Sequence, residues 1–115
     1  MNVLSLFDNA ENLEHKEAGS VIFRSGDPGD SMYVVIEGEV TIRSDAGSFG
    51  PLGRGELFGE MSLIDDMPRS ADAVAETYCV LAPVDERPVL YLVHEVPMFA
   101  LHVMGVMAER LRNQS

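Results

Sequence analysis

Glycine and proline divide the first 84 residues into apolar runs that are too short to be helices, and no other feature constrains the fold as much. Residues 21–23 form one such run, residues 32–36 are apolar on both alternating faces, and residues 40–43 alternate between apolar and polar side chains. Residues 44–56 contain four glycines and one proline, which are turn and loop signals. Short runs bounded by turns predict β-strands, and the run at 32–36 predicts a strand buried on both sides.

Further strands and one tight turn complete the β-rich part of the sequence. The dipeptide Glu37-Gly38 predicts a hairpin turn between two neighbouring strands. A short strand is expected at 49–52, and two more are expected within 71–84. At the N-terminus, residues 2–9 are expected to form one short helix.

The chain becomes helical after residue 84. Asp85 is suited to be an N-cap, with Pro88 inside the first turn, and Pro97 predicts the start of a second helix that runs to about Arg112. Short strands followed by two helices predict a mainly β protein. The expected fold is a jelly-roll β-barrel (a double-stranded β-helix) with short flanking N- and C-terminal α-helices.

The length of the chain limits it to one domain. A domain usually takes about 100–200 residues, and the chain has 115. We therefore predict a single domain over 1–115, with an N-terminal helical segment at 1–16, a β-roll at 17–84 and C-terminal helices at 85–113.

The charge and the cysteine content exclude several functions. With 8 basic and 19 acidic residues the net charge is −11, which disfavours binding to nucleic acids or to anionic membranes. The longest apolar stretch, residues 96–108, is too short to cross a bilayer, so no membrane insertion is expected. The single cysteine, Cys79, cannot form a disulfide within the chain. Together with the lack of a signal-peptide pattern, this leads us to expect a cytoplasmic protein.

One glycine-flanked segment, residues 55–71, has the features of an anion site. Gly59 precedes a short run with helical potential, and the free N–H groups at such a helix start attract anions. Arg69 follows and can form charge-assisted hydrogen bonds with a phosphate. Glu60 would repel that phosphate unless it accepted a hydrogen bond from a neighbouring sugar hydroxyl. Without a ligand, Glu60 would only cap the helix and Arg69 would pair with a surface carboxylate.

The sequence FGEMSLIDDMPRSA resembles the phosphate-binding cassette of cyclic nucleotide-binding domains, F-G-E-x-A-L-x(n)-P-R-x-A. Such domains occur in catabolite-activator-type transcription factors, protein kinase A regulatory subunits and cyclic-nucleotide-gated channels. Residues 21–40, VIFRSGDPGDSMYVVIEGEV, resemble the first hairpins of the family, and glycines 26, 38, 55 and 59 stand where it places turn glycines. The resemblance extends from about residue 4 to about residue 112.

The resemblance implies a role for each cassette residue within 57–71. Arg69 would pair with the exocyclic phosphate oxygens, and Glu60 would accept the ribose 2′-hydroxyl. Ser62 replaces the usual alanine but keeps the small size. The remaining candidates are Gly59 at the ribose, the backbone of Met61 and Ser62 at the phosphate, and the hydroxyl of Ser70 at the phosphate or the purine edge.

The last predicted helix is apolar on nearly every face between residues 97 and 108. A helix packed on a barrel needs only one apolar stripe. The spare face therefore meets a partner subunit, a further domain or the purine of a ligand. In the resembled family this helix closes over the base and often forms a dimer seam, so the candidates for a purine lid are Val103, Met104 and Met107.

The expected function is reversible binding of a cyclic purine mononucleotide, with cAMP favoured, by a sensor domain that acts on an effector protein. Two alternatives stay open: a cGMP-selective binder, since Ser70 fits either nucleotide, and a dimerisation module with a vestigial pocket. No enzyme activity and no cofactor are expected. The three histidines are far apart and form no H-x-H pair, so no metal site is expected either.

Overall fold

The computed structural model describes residues 2–7 and 10–113, which form two four-stranded antiparallel sheets with helices at both ends. The strands are β1 (Glu14–Lys16), β2 (Val21–Phe23), β3 (Ser31–Glu37), β4 (Val40–Ser44), β5 (Gly47–Leu52), β6 (Leu57–Phe58), β7 (Asp72–Ala75) and β8 (Cys79–Asp85). A 3₁₀ helix spans Val3–Phe7, and the α-helices are α1 (Glu60–Asp65), α2 (Glu86–Glu95) and α3 (Met98–Asn113).

The two sheets have the orders β1-β8-β3-β6 and β2-β7-β4-β5, and the chain crosses repeatedly from one sheet to the other. This arrangement confirms the predicted mainly β, jelly-roll architecture. The strands predicted at 49–52 and within 71–84 are present as β5, β7 and β8. The helices predicted after residue 84 are present as α2 and α3, with Asp85 at the N-cap position of α2.

Strand β3 lies between two parts of the hydrophobic core, as its sequence predicts. Val35 faces the core enclosed by the two sheets, where it packs in the same cluster as Phe58. Val34 points the other way and packs in a second cluster with Phe99 and Val103 of α3. Both valines are fully buried, so β3 connects the interior of the roll to the helices that cover its outer face.

The predicted hairpin at Glu37-Gly38 is wrong, because β3 and β4 belong to different sheets. Gly38 does have the backbone conformation of a turn glycine, with φ +95°. A Cβ on Gly38 would lie 2.2 Å from the carbonyl oxygen of Tyr78 and 2.8 Å from Sγ of Cys79. Gly38 is therefore the point at which the chain crosses between sheets while pressed against the start of β8. A positive φ satisfies a hairpin and a crossing equally well, so the local sequence does not distinguish them.

The N-terminal segment also differs from the prediction. The 3₁₀ helix is shorter than the helix expected at 2–9, of which residues 8 and 9 lie outside the described part of the chain. Residues 14–16, assigned to the helical segment, form β1 and pair with β8. Their sequence, Glu-His-Lys, has no apolar alternation, so the pairing with β8 creates this strand rather than any local pattern.

The faces of α3 differ in burial. Phe99 and Val103 are buried against the β1-β8-β3-β6 sheet, whereas Met98, Leu101 and Met104 are 54–60% exposed. The predicted spare apolar face is therefore present. Among the described residues no single helix is long and apolar enough to cross a membrane, and α2 with α3 meets that test only as a pair bent by 118°.

Candidate functional site

The site lies at the start of α1, between β6 and the segment after α1 that contains Arg69. Gly59 precedes α1 with φ +78°. A Cβ on Gly59 would lie 2.8 Å from Nη1 of Arg69 and 3.4 Å from the ring of Phe23. Only glycine therefore allows this left-handed turn and the close approach of the arginine together. The first residue of α1 is Glu60, which follows directly on this turn.

Arg69 is a buried cation held by backbone carbonyls. Its Nη1 donates to the carbonyl of Gly59 (2.8 Å) and its Nη2 to that of Ser31 (2.6 Å). The guanidinium lies 4.2 Å from the centre of the Phe23 ring. Its Nε is buried and has no hydrogen-bond partner among the described residues. Burial lowers the pKa of Arg69, an effect opposed by nearby Tyr33 and Asp30.

This arrangement leaves a positive charge without a matching negative one. Within the described residues no carboxylate forms an ion pair with Arg69. Arginine stays protonated in proteins, so the buried charge has to be balanced by something else. The unpartnered Nε beside the first turn of α1 is a donor of the kind that binds a phosphate oxygen.

Glu60 is buried and already has a partner. It is 2% exposed, and its Oε1 lies 2.5 Å from Nη1 of Arg110 in the last turns of α3. The Nη2 of Arg110 donates to the backbone carbonyl of Leu57. The sequence analysis missed Arg110, which is 50 residues away in sequence. The available signal was that a buried carboxylate requires a cationic partner.

The structure brings the predicted cassette residues together with two qualifications. Ser62 is buried beneath the β2–β3 loop, where a Cβ on Gly29 would lie 2.1 Å from Cβ of Ser62. Met61 is 46% exposed, so its side chain faces solvent. Ser70 follows Arg69 but is exposed and lines a shallow polar cleft with Ser25. Gly59, Glu60, Ser62 and Arg69 thus form the centre of the site, and Ser70 its border.

A groove of about 220 Å³ lies between α3 and the β5–β6 region, and Arg110, the partner of Glu60, is one of the residues that line it. From the barrel it is lined by Phe49 and Leu52 among others, and from α3 by His102, Val106 and Arg110. The predicted lid residues are placed otherwise: Val103 is in the core, Met107 packs against the core, and Met104 is exposed. The helix face that lines the groove is therefore the one that carries Val106 and Arg110, which the sequence analysis did not single out.

The histidines are as scattered in space as in sequence. His15 is hydrogen-bonded to the Tyr78 hydroxyl (2.6 Å), His94 lies beside Glu95, and His102 lines the groove. Among the described residues no group of three or more His, Cys, Asp or Glu side chains could hold a metal ion.

A jelly roll with a buried arginine beside the first turn of a short helix has the features of an anion-binding domain. Residues 13–95 match the cyclic nucleotide-binding domain family, and the chain belongs to that family.

The proteins similar to the chain include relatives of known sequence and of known structure. The cyclic AMP receptor protein of Thermus thermophilus is 39% identical over 99 residues, which are 82% of this chain and 46% of that protein. The crystal structure of the Thermus thermophilus catabolite activator protein aligns with a TM-score of 0.79 and 33% identity, covering 94% of this chain and 58% of that one.

The EAL enzyme Bd1971 is also similar to the chain, in its cAMP-bound and cGMP-bound forms. These align with TM-scores of 0.67 and 0.69 and with 34% and 35% identity. They cover 89% and 88% of this chain, but 29% and 28% of theirs. The chain thus spans about half of the receptor protein and less than a third of the enzyme.

Proposed function

We propose that this domain binds a cyclic purine mononucleotide reversibly, with cAMP favoured, and acts as a sensor on an effector protein. The observation that carries the proposal is the buried guanidinium of Arg69, whose Nε has no partner among the described residues. In a chain of net charge −11, a cation buried at the start of α1 has a clear use as the counter-charge of a phosphate.

In the proposed complex, each group of the site binds a separate part of the nucleotide. The phosphate binds Arg69 and the backbone N–H groups of Met61 and Ser62 in the first turn of α1, with the hydroxyl of Ser70 at its border. The ribose 2′-hydroxyl donates to Glu60, next to Gly59. These groups bind and orient the nucleotide. We propose that the domain is a binding module, with no cofactor and no enzyme activity of its own.

The groove under α3 is the place for the purine. Phe49 offers an apolar surface from the barrel and Val106 one from α3, and Arg110, which pairs with Glu60, also lines the groove. The predicted lid of Val103, Met104 and Met107 remains a prediction, which requires α3 to shift. The cGMP-selective alternative is supported by Ser70 and by the Bd1971 structures, which include a cGMP-bound form beside the cAMP-bound one.

A calorimetric titration with cAMP, cGMP and AMP tests the proposal. We expect cAMP to bind more tightly than cGMP and AMP not to compete with either. Chromatography of the recovered cAMP should show it unchanged, which separates a sensor from an enzyme. Absence of binding by every nucleotide would favour the alternative of an interaction module with a vestigial pocket.

Loss of the ribose hydroxyl should weaken binding. We expect 2′-deoxy-cAMP to bind about 5- to 150-fold more weakly than cAMP, because a buried acceptor left without its donor costs about 1–3 kcal/mol. Competition titrations of both nucleotides against one fluorescent analogue measure the ratio. In Glu60→Ala the two nucleotides should bind alike, and equal affinities in the unmodified domain would show that Glu60 has another role.

Helix α3 should change its packing when the nucleotide binds. We expect amide exchange within residues 97–112 to change by about 5- to 150-fold on adding cAMP, the span of common coupling free energies. Exchange within β4 and β7, in the opposite sheet, serves as the internal control. Identical exchange of 97–112 with and without cAMP would show that α3 is a static part of the core.

The exposed apolar face of α3 is the proposed contact surface of a homodimer. Met98, Leu101 and Met104 are exposed on α3, away from its buried side. Sedimentation of Leu101→Glu against the unmodified chain tests this contact. The proposed effector is a protein rather than a nucleic acid or a membrane, because the acidic net charge of the chain disfavours both of those partners. The proposed location is the cytoplasm.

A further inference from the structure

The aromatic ring of Phe23 lies against the buried arginine of the site. The central carbon of the Arg69 guanidinium is 4.2 Å from the centre of that ring. The two Nη atoms donate to the carbonyls of Gly59 and Ser31, which are neutral groups. The negative face of an aromatic ring attracts a cation, and the attraction is strongest where water is excluded. Phe23 therefore stabilises the positive charge of Arg69 at a place where no carboxylate does so.

Phe23 is itself held by both sheets. It is the last residue of β2, and it pairs with Ala73 of β7. Its ring centre lies 5.9 Å from that of Phe58 and 6.2 Å from that of Tyr33, and both of these residues belong to the opposite sheet. The rings of Tyr33 and Phe58 stack on each other at 5.1 Å. The ring that contacts Arg69 is thus built on a strand and supported by a packed aromatic cluster, as a group that fixes another side chain requires.

We propose that Phe23 is a positioning residue, which holds the guanidinium of Arg69 where the phosphate of the nucleotide binds. This inference rests on the proposed function, in which Arg69 binds that phosphate. Arginine has many rotamers, and a side chain that is ordered before the ligand arrives does not reduce the affinity by being ordered on binding.

A ring suits this task better than a carboxylate would. A carboxylate at the position of Phe23 would also fix the arginine, but it would compete with the phosphate for the same N–H donors. The ring attracts the cation through its face, and the Nε of Arg69 has no hydrogen-bond partner among the described residues. The contact therefore stabilises the guanidinium and leaves this donor for the ligand.

Replacing the ring with an aliphatic side chain tests the proposal. We expect Phe23→Leu to bind cAMP about 2- to 13-fold more weakly, the factor that corresponds to ordering one rotamer-rich side chain on binding. Phe23→Tyr keeps an aromatic face and should restore the affinity of the unmodified chain. Calorimetry with cAMP measures the three dissociation constants. If Phe23→Leu does not fold, Phe23→Met replaces it, because an unbranched side chain fills irregular gaps in a core.

Phe58→Leu is the matched control. It removes a buried ring from the same aromatic cluster, but the ring that Arg69 contacts is that of Phe23. The control should lower the stability of the domain and leave the dissociation constant for cAMP unchanged. Urea denaturation of every variant without nucleotide measures the stability and shows that each is folded at the start of the titration.

Nuclear magnetic resonance without nucleotide reports the position of the guanidinium. An aromatic ring shifts the signals of protons above its face upfield, so the Nε–H signal of Arg69 should lie upfield of the usual arginine position. The shift should be lost in Phe23→Leu and kept in Phe23→Tyr and Phe58→Leu. A residue that only filled space in the core would not produce this pattern.

The possible failures are distinguishable. Suppose that the unmodified chain binds cAMP. If folded Phe23→Leu then binds it equally tightly, if Phe23→Tyr or Phe58→Leu binds it as weakly as Phe23→Leu, or if the Arg69 signal is not shifted, the positioning role is overturned and the proposed function stands. If the unmodified chain binds neither cAMP nor cGMP, the proposed function itself fails.

Discussion

Arg69→Ala should weaken cAMP binding by about 30-fold or more, the loss expected when one partner of a buried charge-assisted pair is removed. The reason is that Arg69 is the buried cation that faces the start of α1, in a chain whose overall charge repels an anion. Calorimetry gives the affinity. Arg87→Ala, which removes an exposed arginine from α2, is the control and should bind as the unmodified chain does. If Arg69→Ala bound cAMP as tightly as the unmodified chain, the assignment of the phosphate to this site would be wrong.

The same variant should also lose stability, which the sequence alone does not indicate. Arg69 donates to the carbonyls of Gly59 and Ser31, and each buried carbonyl left without a donor costs about 1–3 kcal/mol. Urea denaturation without nucleotide measures this loss separately from the affinity. The arginine thus also joins the cassette to the start of β3.

Gly38→Ala should destabilise the domain by about 3 kcal/mol or more, a large part of the usual stability of a small domain. Two penalties combine: a positive φ, and a Cβ that would lie 2.2 Å from a backbone oxygen and 3.0 Å from Cα of Cys79. Backbone atoms in β8 cannot move aside as a flexible side chain would. Thermal and urea denaturation measure the loss.

Gly26→Ala is the matched control for that experiment. Gly26 has φ +93°, close to that of Gly38, but no heavy atom lies within 4 Å of the position that a Cβ would take there. It should lose only the cost of the left-handed conformation, about 1–2 kcal/mol. Equal losses in both variants would show that β8 yields to the added methyl group.

The parts of the structure that local chemistry determines were predictable from the sequence. The cassette is contiguous, so its order and spacing predict that Gly59, Glu60 and Arg69 lie together, as the structure shows for Gly59 and Arg69. The strand β3 shows its burial on both faces in its own composition. What was missed depends on distant partners: β1 is a strand because β8 lies beside it, and Gly38 joins two sheets because β4 pairs elsewhere.

Arg110 is the most instructive omission. Its neighbours in sequence place it on an apolar helix, where an arginine near the C-terminus is explained by the helix dipole alone. The guanidinium of Arg110 reaches Glu60 because of the way α3 packs on the sheet. A rule that every buried carboxylate needs a cation shows that a partner is missing, but it does not say which of the eight basic residues supplies it.

The edge strands of the two sheets affect how readily the protein aggregates at high concentration. The four edge strands are β1, β6, β2 and β5. The first is Glu-His-Lys, the next two have two and three residues, and β5 contains Pro51. Short, charged or proline-interrupted edges are poor templates for a strand from another molecule. The sheet edges are therefore poor sites for fibrillar aggregation, which leaves the exposed apolar face of α3 as the proposed surface for self-association.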